Sequence, residues 1–251
     1  MNTALPQVQD ILSLKRERLE SRKAQTPMNA LRALAGMQRR PESILSTISD
    51  NVLIFGQIAY SPLAYDPVQM ALSYWKAGID AVCMFTDDTV YEGSVNDLTL
   101  IARAVSIPTI NLNYVFDEYQ IVETRAAGAS ALTLYTRLLD RTALWSLASA
   151  TVRNRMTAIM SVSQAEDVKT LLEFCPPAVA LGKRTEEGEL DLRWLHYVRS
   201  FMPFCSRVVI STPLRSLDEA RALVALRPHA VTIEPDLLPQ LDQLRAIFAL
   251  T

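Results

Sequence analysis

The chain has 251 residues, a formal net charge of −2, 49% hydrophobic residues and 21% charged residues. That make-up suits a soluble globular protein able to bury one large core, and it gives no reason to expect nucleic acid or an anionic membrane as a partner. No apolar stretch reaches the roughly 18 residues of a membrane span, and the start, MNTALPQVQD, lacks the pattern of a secretory leader, so the cytoplasm is the expected compartment.

Residues 7–24 (QVQDILSLKRERLESRKA) carry apolar positions at helical spacing with a charged remainder. They predict a surface helix whose run Lys15 to Arg22 is a solvated face or, on a sharper reading, a partner-binding one. Residues 29–49 predict one or two short helices broken near Pro41. From Asn51 onward, short apolar or β-branched runs alternate with amphipathic segments. The predicted strands are 52–58, 80–86, 108–114, 131–136, 157–162, 178–182, 207–212 and 230–234. Their near-continuous hydrophobicity is that of parallel strands covered on both sides. Helices are predicted near 66–77, 95–105, 117–127, 140–153, 164–174, 190–201, 216–226 and 236–249, with caps at Asp66, Ser94, Asp117, Ser163 and Ser216. Cys83, Cys175 and Cys205, odd in number and widely spaced, predict buried free thiols in a reducing compartment.

Strand and crossover helix repeated eight times closes most naturally into a single (βα)8 TIM barrel, here over 51–251 with an N-terminal helical extension over 1–50. A doubly wound open sheet is the other arrangement the pattern allows. No second domain, linker or low-complexity tract is evident. Barrel chemistry sits at the C-terminal strand ends. Here those ends read Gly56-Gln57-Ile58-Ala59, Leu112-Asn113-Tyr114, Ser161-Val162-Ser163 and Ser211-Thr212-Pro213, nearly empty of acids and bases. None of the seven glycines follows Gly188, and the last two strand-helix loops offer Pro213 and Pro235, which lack an N–H for a phosphate.

The stretches TDDTVYEGSVNDL and IPTINLNYVFDEYQIVETRAAGA resemble the indole-3-glycerol-phosphate synthase family of tryptophan biosynthesis. The resemblance rests on Thr86, Asp87, Gly93, Ser94, Leu98, Pro108, Asp117, Tyr119, Gln120, Arg125, Gly128 and Ala129. Ser61-Pro62, Tyr74, Ala77-Gly78 and the N-terminal helix followed by Pro27 extend it. The resemblance implies a (βα)8 lyase working through a Lys and Glu acid–base pair helped by further Glu and Asn residues. Those working positions differ here. The family's first-strand Glu-Ile-Lys falls on Gln57-Ile58-Ala59, or on Gly56-Gln57-Ile58 if no gap is allowed. Its third-strand Lys-Asp falls on Leu112-Asn113 and its fifth-strand Glu on Ser161. Asn-Asn-Arg falls on Gly182-Lys183-Arg184, Ser-Glu-Ser-Gly-Ile on Ile210 to Leu214, and the last Gly-Glu-Ser on Glu234-Pro235-Asp236. Losing one general acid costs roughly 10²–10⁴ in rate, and residues acting as a unit fail together.

The chain is therefore expected to have no catalytic residues for that lyase reaction, no metal and no cofactor, and to act as a non-catalytic subunit or binding protein. A protein partner, or a small molecule at the barrel mouth, is the expected ligand. Substrate-binding candidates are Ser61, Asn113, Lys183, Arg184, Ser211 and Glu234. Two alternatives stand beside this reading. One is a repurposed enzyme using Lys183 as base or Schiff-base amine near Glu234, against a merely hydrated Lys-Arg-Thr-Glu-Glu loop. The other is a residual carbon–carbon lyase. Asp87 and Asp88 predict a cap, a salt bridge or a metal pair. His196 on a helix and His229 before the last strand support no metal. Trp75, Trp145 and Trp194 predict helix–sheet packing or, if exposed, a partner anchor.

Overall fold

A computed structural model describes residues 8–44, 51–60, 65–87, 93–202 and 206–249. In chain order these form α1 (Val8–Gln25), α2 (Met28–Met37), β1 (Leu53–Ile58), α3 (Pro67–Ala77), β2 (Ala81–Phe85), α4 (Val95–Ala104), β3 (Thr109–Leu112), α5 (Glu118–Ala126), β4 (Ala131–Tyr135), α6 (Arg141–Arg153), β5 (Thr157–Val162) and α7 (Asp167–Phe174). They continue through β6 (Ala178–Leu181), α8 (Leu192–Phe201), β7 (Arg207–Leu214), α9 (Leu217–Leu223), β8 (Ala230–Ile233) and α10 (Leu241–Phe248). The eight strands are parallel and close on themselves in sequence order, β1 pairing both β2 and β8. The barrel, not the open sheet, is the fold.

The alternation of a pleated strand sorts the core into two clusters. Leu53, Phe55, Cys83, Ile110, Ile159, Val209 and Ala230 pack inside the ring, joined by Ile44 from the segment before β1. Their neighbours Ile54, Val82, Leu132, Ala158, Val179 and Val231 pack outward against the helices. Gly56 faces outward. Its place is taken up by Tyr74 of α3, whose ring atoms lie 2.6–2.8 Å from where a Cβ would stand.

Four of the five predicted caps form. Asp66 accepts from the Gln69 N–H, Ser94 from Asp97, Asp117 from Tyr119 and Ser216 from Glu219. Asp117 also shares a capping box with Gln120. Ser163 caps nothing. The helix starts four residues later, and the Ser163 and Gln164 N–H groups donate to the Asp167 carboxylate at 3.2 and 3.1 Å. The last predicted helix divides at Pro239 into a 3-10 turn, Pro235–Gln240, and α10.

Three side-chain expectations are corrected. Lys15 is not on a solvated face: it is 6% exposed and paired with Asp87. Cys83 is a buried free thiol, pushed by burial up to about 12, but Cys175 is disulfide-bonded. Trp75 and Trp145 are not core residues, being 40% and 57% exposed. Trp194 is partly buried against the outer core.

His229 ties the starts of the last two strands together. Its N–H donates to the Val208 carbonyl at 2.8 Å, and its Nδ1 accepts from the Val208 N–H at 2.9 Å. Burial, with the Arg207 and Arg199 charges, holds the imidazole below its ordinary 6.5. The unfolded chain therefore takes up this proton at a higher pH than the folded one. The contribution is fully present above about pH 6.5 and is lost as pH falls through the lower, folded value. Melting temperature measured from pH 7.5 down to 5 should fall more steeply for the native chain than for His229→Gln, whose amide oxygen keeps an acceptor without the charge. Parallel curves would remove His229 as a source of acid sensitivity.

Candidate functional site

The mouth follows from the pleat. Residues that continue the inward alternation reach the C-terminal rim as Gln57, Phe85, Leu112, Tyr135, Ser161, Gly182, Ser211 and Glu234. All are half-buried. Of these eight, only Glu234 has a carboxylate, and it accepts from Arg215 Nε at 3.0 Å. Because Gly56 faces Tyr74, Gln57 is the inward residue at the end of β1. Gly182 packs against the end of β7. A Cβ there would lie 2.6 Å from Ser211 Oγ, 2.7 Å from Thr212 Oγ1 and 3.0 Å from the Thr212 nitrogen.

The remaining charged candidates are held by partners. Arg184 is 16% exposed and makes a bidentate pair with Glu219, at 2.7 and 3.3 Å. It also donates to the Gly188 and Pro213 carbonyls. Burial alone would raise the Glu219 carboxyl. The hydrogen bonds from Arg184 and from the Arg215 N–H, with both guanidinium charges, outweigh it and hold the group below its usual range. Lys183 is 44% exposed, 3.4 Å from Asp191 and 5.6 Å above the Trp194 ring. The structure thus gives Lys183 and Glu234 different partners. Ser61 and Asp88 lie outside the described residues. Among the described residues no group of three His, Cys, Asp or Glu side chains could hold a metal ion. No helix among them is long and apolar enough to cross a membrane.

Sequence reasoning missed the most buried polar cluster of the rim. Lys15 of α1 donates to Asp87 Oδ2 at 2.5 Å and to Asn113 Oδ1 at 2.8 Å, and lies 5.7 Å from the Tyr114 ring. Asn113 Nδ2 donates to Thr86 Oγ1, which donates to Asn111 Oδ1, whose Nδ2 donates to Thr124 Oγ1 on α5. The chain of bonds joins the N-terminal helix to the ends of β2 and β3 and to α5. Both ends of the Asn113 amide are thus hydrogen-bonded within the protein. The missed signal lay in spacing: Leu12, Lys15 and Leu19 form one stripe of α1, and the charge of its neighbours hid it. The extension is held lower down by Leu19, Leu31 and Ala35 against Tyr119 and Val122. Arg22 also pairs with Glu123, and Lys23 with Asp117.

A profile of the family described as indole-3-glycerol phosphate synthase matches residues 8–247. This chain belongs to the indole-3-glycerol phosphate synthase family. Among its curated relatives, the indole-3-glycerol phosphate synthase of Oceanobacillus iheyensis is 29% identical over 213 residues, covering 84% of this chain and 80% of the relative. That of Geobacillus thermodenitrificans is 25% identical over 247 residues, covering 97% and 96%. Of solved structures, 3-hexulose-6-phosphate synthase from Salmonella typhimurium superposes with a TM-score of 0.65 at 13% identity, over 79% of this chain and 99% of that one. N-acetylmannosamine-6-phosphate 2-epimerase from Clostridium perfringens gives 0.62 at 12%, over 83% and 97%. Those two likenesses are of fold alone. Within the indole-3-glycerol phosphate synthase family, this member has a mouth built mainly from amide, hydroxyl, aromatic and aliphatic groups.

Proposed function

We propose that this family member no longer carries out the lyase reaction and works as a non-catalytic subunit or binding protein. One observation carries the reading: the inward layer at the mouth is Gln57, Phe85, Leu112, Tyr135, Ser161, Gly182, Ser211 and Glu234. Neither Leu112 nor Ser161 can take or give a proton as a lysine or a carboxylate does. Gly182 adds support, since the family's asparagine fits there only if the Ser211 and Thr212 hydroxyls turn away. The family's phosphate end would meet the Glu234 charge. A mouth of this kind suits a small molecule held by hydrogen bonds through Gln57, Ser161 and Ser211, or a protein partner, with Lys183 beside it. Relatives bear the name of the active enzyme, and the competing reading is that this chain shares their activity.

The test is formation of indole-3-glycerol phosphate from the family's substrate by purified protein. The expected rate is that of the protein-free control. Turnover well above the control would overturn the proposal in favour of a retained lyase, and Leu112, Ser161 and Gly182 would then have to be compensated by other groups.

A further inference from the structure

Between α2, α5 and the C-terminal end of α6 lies a cavity of about 460 Å³. Arg32, Arg125, Arg153 and Arg155 line it, against a single carboxylate, Glu118. Arg125 is the fixed member. It is 5% exposed, and its Nη2 donates to the backbone carbonyls of Gln38 at 3.1 Å and Arg39 at 2.6 Å. Its Nη1 is buried with no hydrogen-bond partner. A buried guanidinium nitrogen in that state is costly unless something anionic is near. Glu118 does not serve. It approaches Arg32 at 3.5 Å and Arg153 at 3.9 Å, near the surface, while Arg125 and Arg155 make no ion pair among the described residues.

Burial and the Arg155 charge together hold Arg125 below its ordinary value, so the two guanidinium groups feel one another. Several like charges facing one concavity raise the local concentration of counter-ions. The planar guanidinium fork matches the oxygens of a phosphate. The volume is that of a small-ligand site, so an ester group could accompany the phosphate. Position argues against a reacting substrate: Arg125 ends the helix leading into β4, and Arg153 and Arg155 lie just before β5. Arg125, Arg153 and Arg155 therefore stand toward the N-terminal strand ends, away from the mouth.

We propose that this cavity binds a phosphate dianion, free or as the head of a small phosphate monoester, with Arg32, Arg153 and Arg155 as its clamp and Arg125 as its floor. The bound anion would fasten α2 and the Gln38–Arg39 backbone to α5 and α6. The inference is independent of the function proposed for the mouth.

The experiment is thermal melting in inorganic phosphate, with potassium chloride at equal ionic strength as reference, and then in glycerol 3-phosphate. A ligand that binds only the folded state raises the melting temperature by mass action, about 5–10 °C at a hundredfold excess over Kd for a chain of this size. The comparison variants are Arg153→Ala and Arg155→Gly. Arg155 has φ 62, which glycine adopts freely, so that substitution removes the guanidinium without straining the backbone. A saturating rise in the native chain that falls to less than half in both variants supports the site. A stronger response to the monoester assigns an esterified ligand; equal responses assign the free ion. No rise beyond chloride overturns the proposal. So does a rise that both variants keep, because the anion would then sit elsewhere, the mouth included.

Discussion

Lys15→Ala is expected to lower stability by about 3–5 kcal/mol, a fall in melting temperature on the order of 10 °C for a chain of this length. The Asp87 side chain is 0% exposed, and the substitution takes away the lysine that faces it. Asn113 Oδ1 loses the same donor. The cost comes mainly from the charge left behind, not from the pair's own strength. Removing both charges, as Lys15→Met with Asp87→Leu, should therefore recover most of the loss. Arg16→Ala is the reference, since Arg16 lies one residue along on the exposed face and only approaches the Phe116 ring, at 5.8 Å. Denaturation curves on the four proteins decide it. If Lys15→Ala costs no more than Arg16→Ala, the ion pair is not shut away from water.

Gly56→Ala should cost about 1–3 kcal/mol through overpacking. The added methyl would meet the Tyr74 ring at 2.6–2.8 Å, and that ring has nowhere to swing. Tyr74 is 1% exposed and anchored by its hydroxyl, which donates to the Gln57 carbonyl at 2.9 Å. Relief requires β1 and α3 to part, and β1 carries the first mouth residue. The clash predicts strong coupling: in a Tyr74→Leu background the same glycine change should cost less than half as much. An undiminished penalty in that background would mean the methyl meets something other than the ring.

The barrel was legible because its signals are local. Strand runs such as AVCMF and AVTI are apolar enough to be parallel strands, and Asp66-Pro67 and Ser94 mark helix starts within three residues of the N–H groups they cap. The mouth composition was legible for the same reason, once the pleat said which residues face inward. What escaped the sequence was pairing between distant elements. Glu219 meets Arg184 from 35 residues away, and Arg215 meets Glu234 from 19. No run of residues announces such a partner. Lys15 escaped because charge usually means solvent, and the exception is visible only when Asp87 and Asn113 are brought against it. Ser163 was misread because the helix begins at Asp167, whose carboxylate accepts from the Ser163 and Gln164 N–H groups.

The Lys15 network also sets an order of events during synthesis. The helix that holds Lys15 leaves the ribosome early, but its partners follow 72 and 98 residues later, and Tyr119, which grips the carbonyls of Arg22 and Thr26, comes 97 and 93 residues after them. At ordinary elongation rates that is a wait on the order of 5–20 s. Throughout it, the stripe of Leu12, Lys15 and Leu19 has no surface to lie against. The third strand and the helix after it must be made before the first helix can settle, so the chain's opening segment is not the first to find its place.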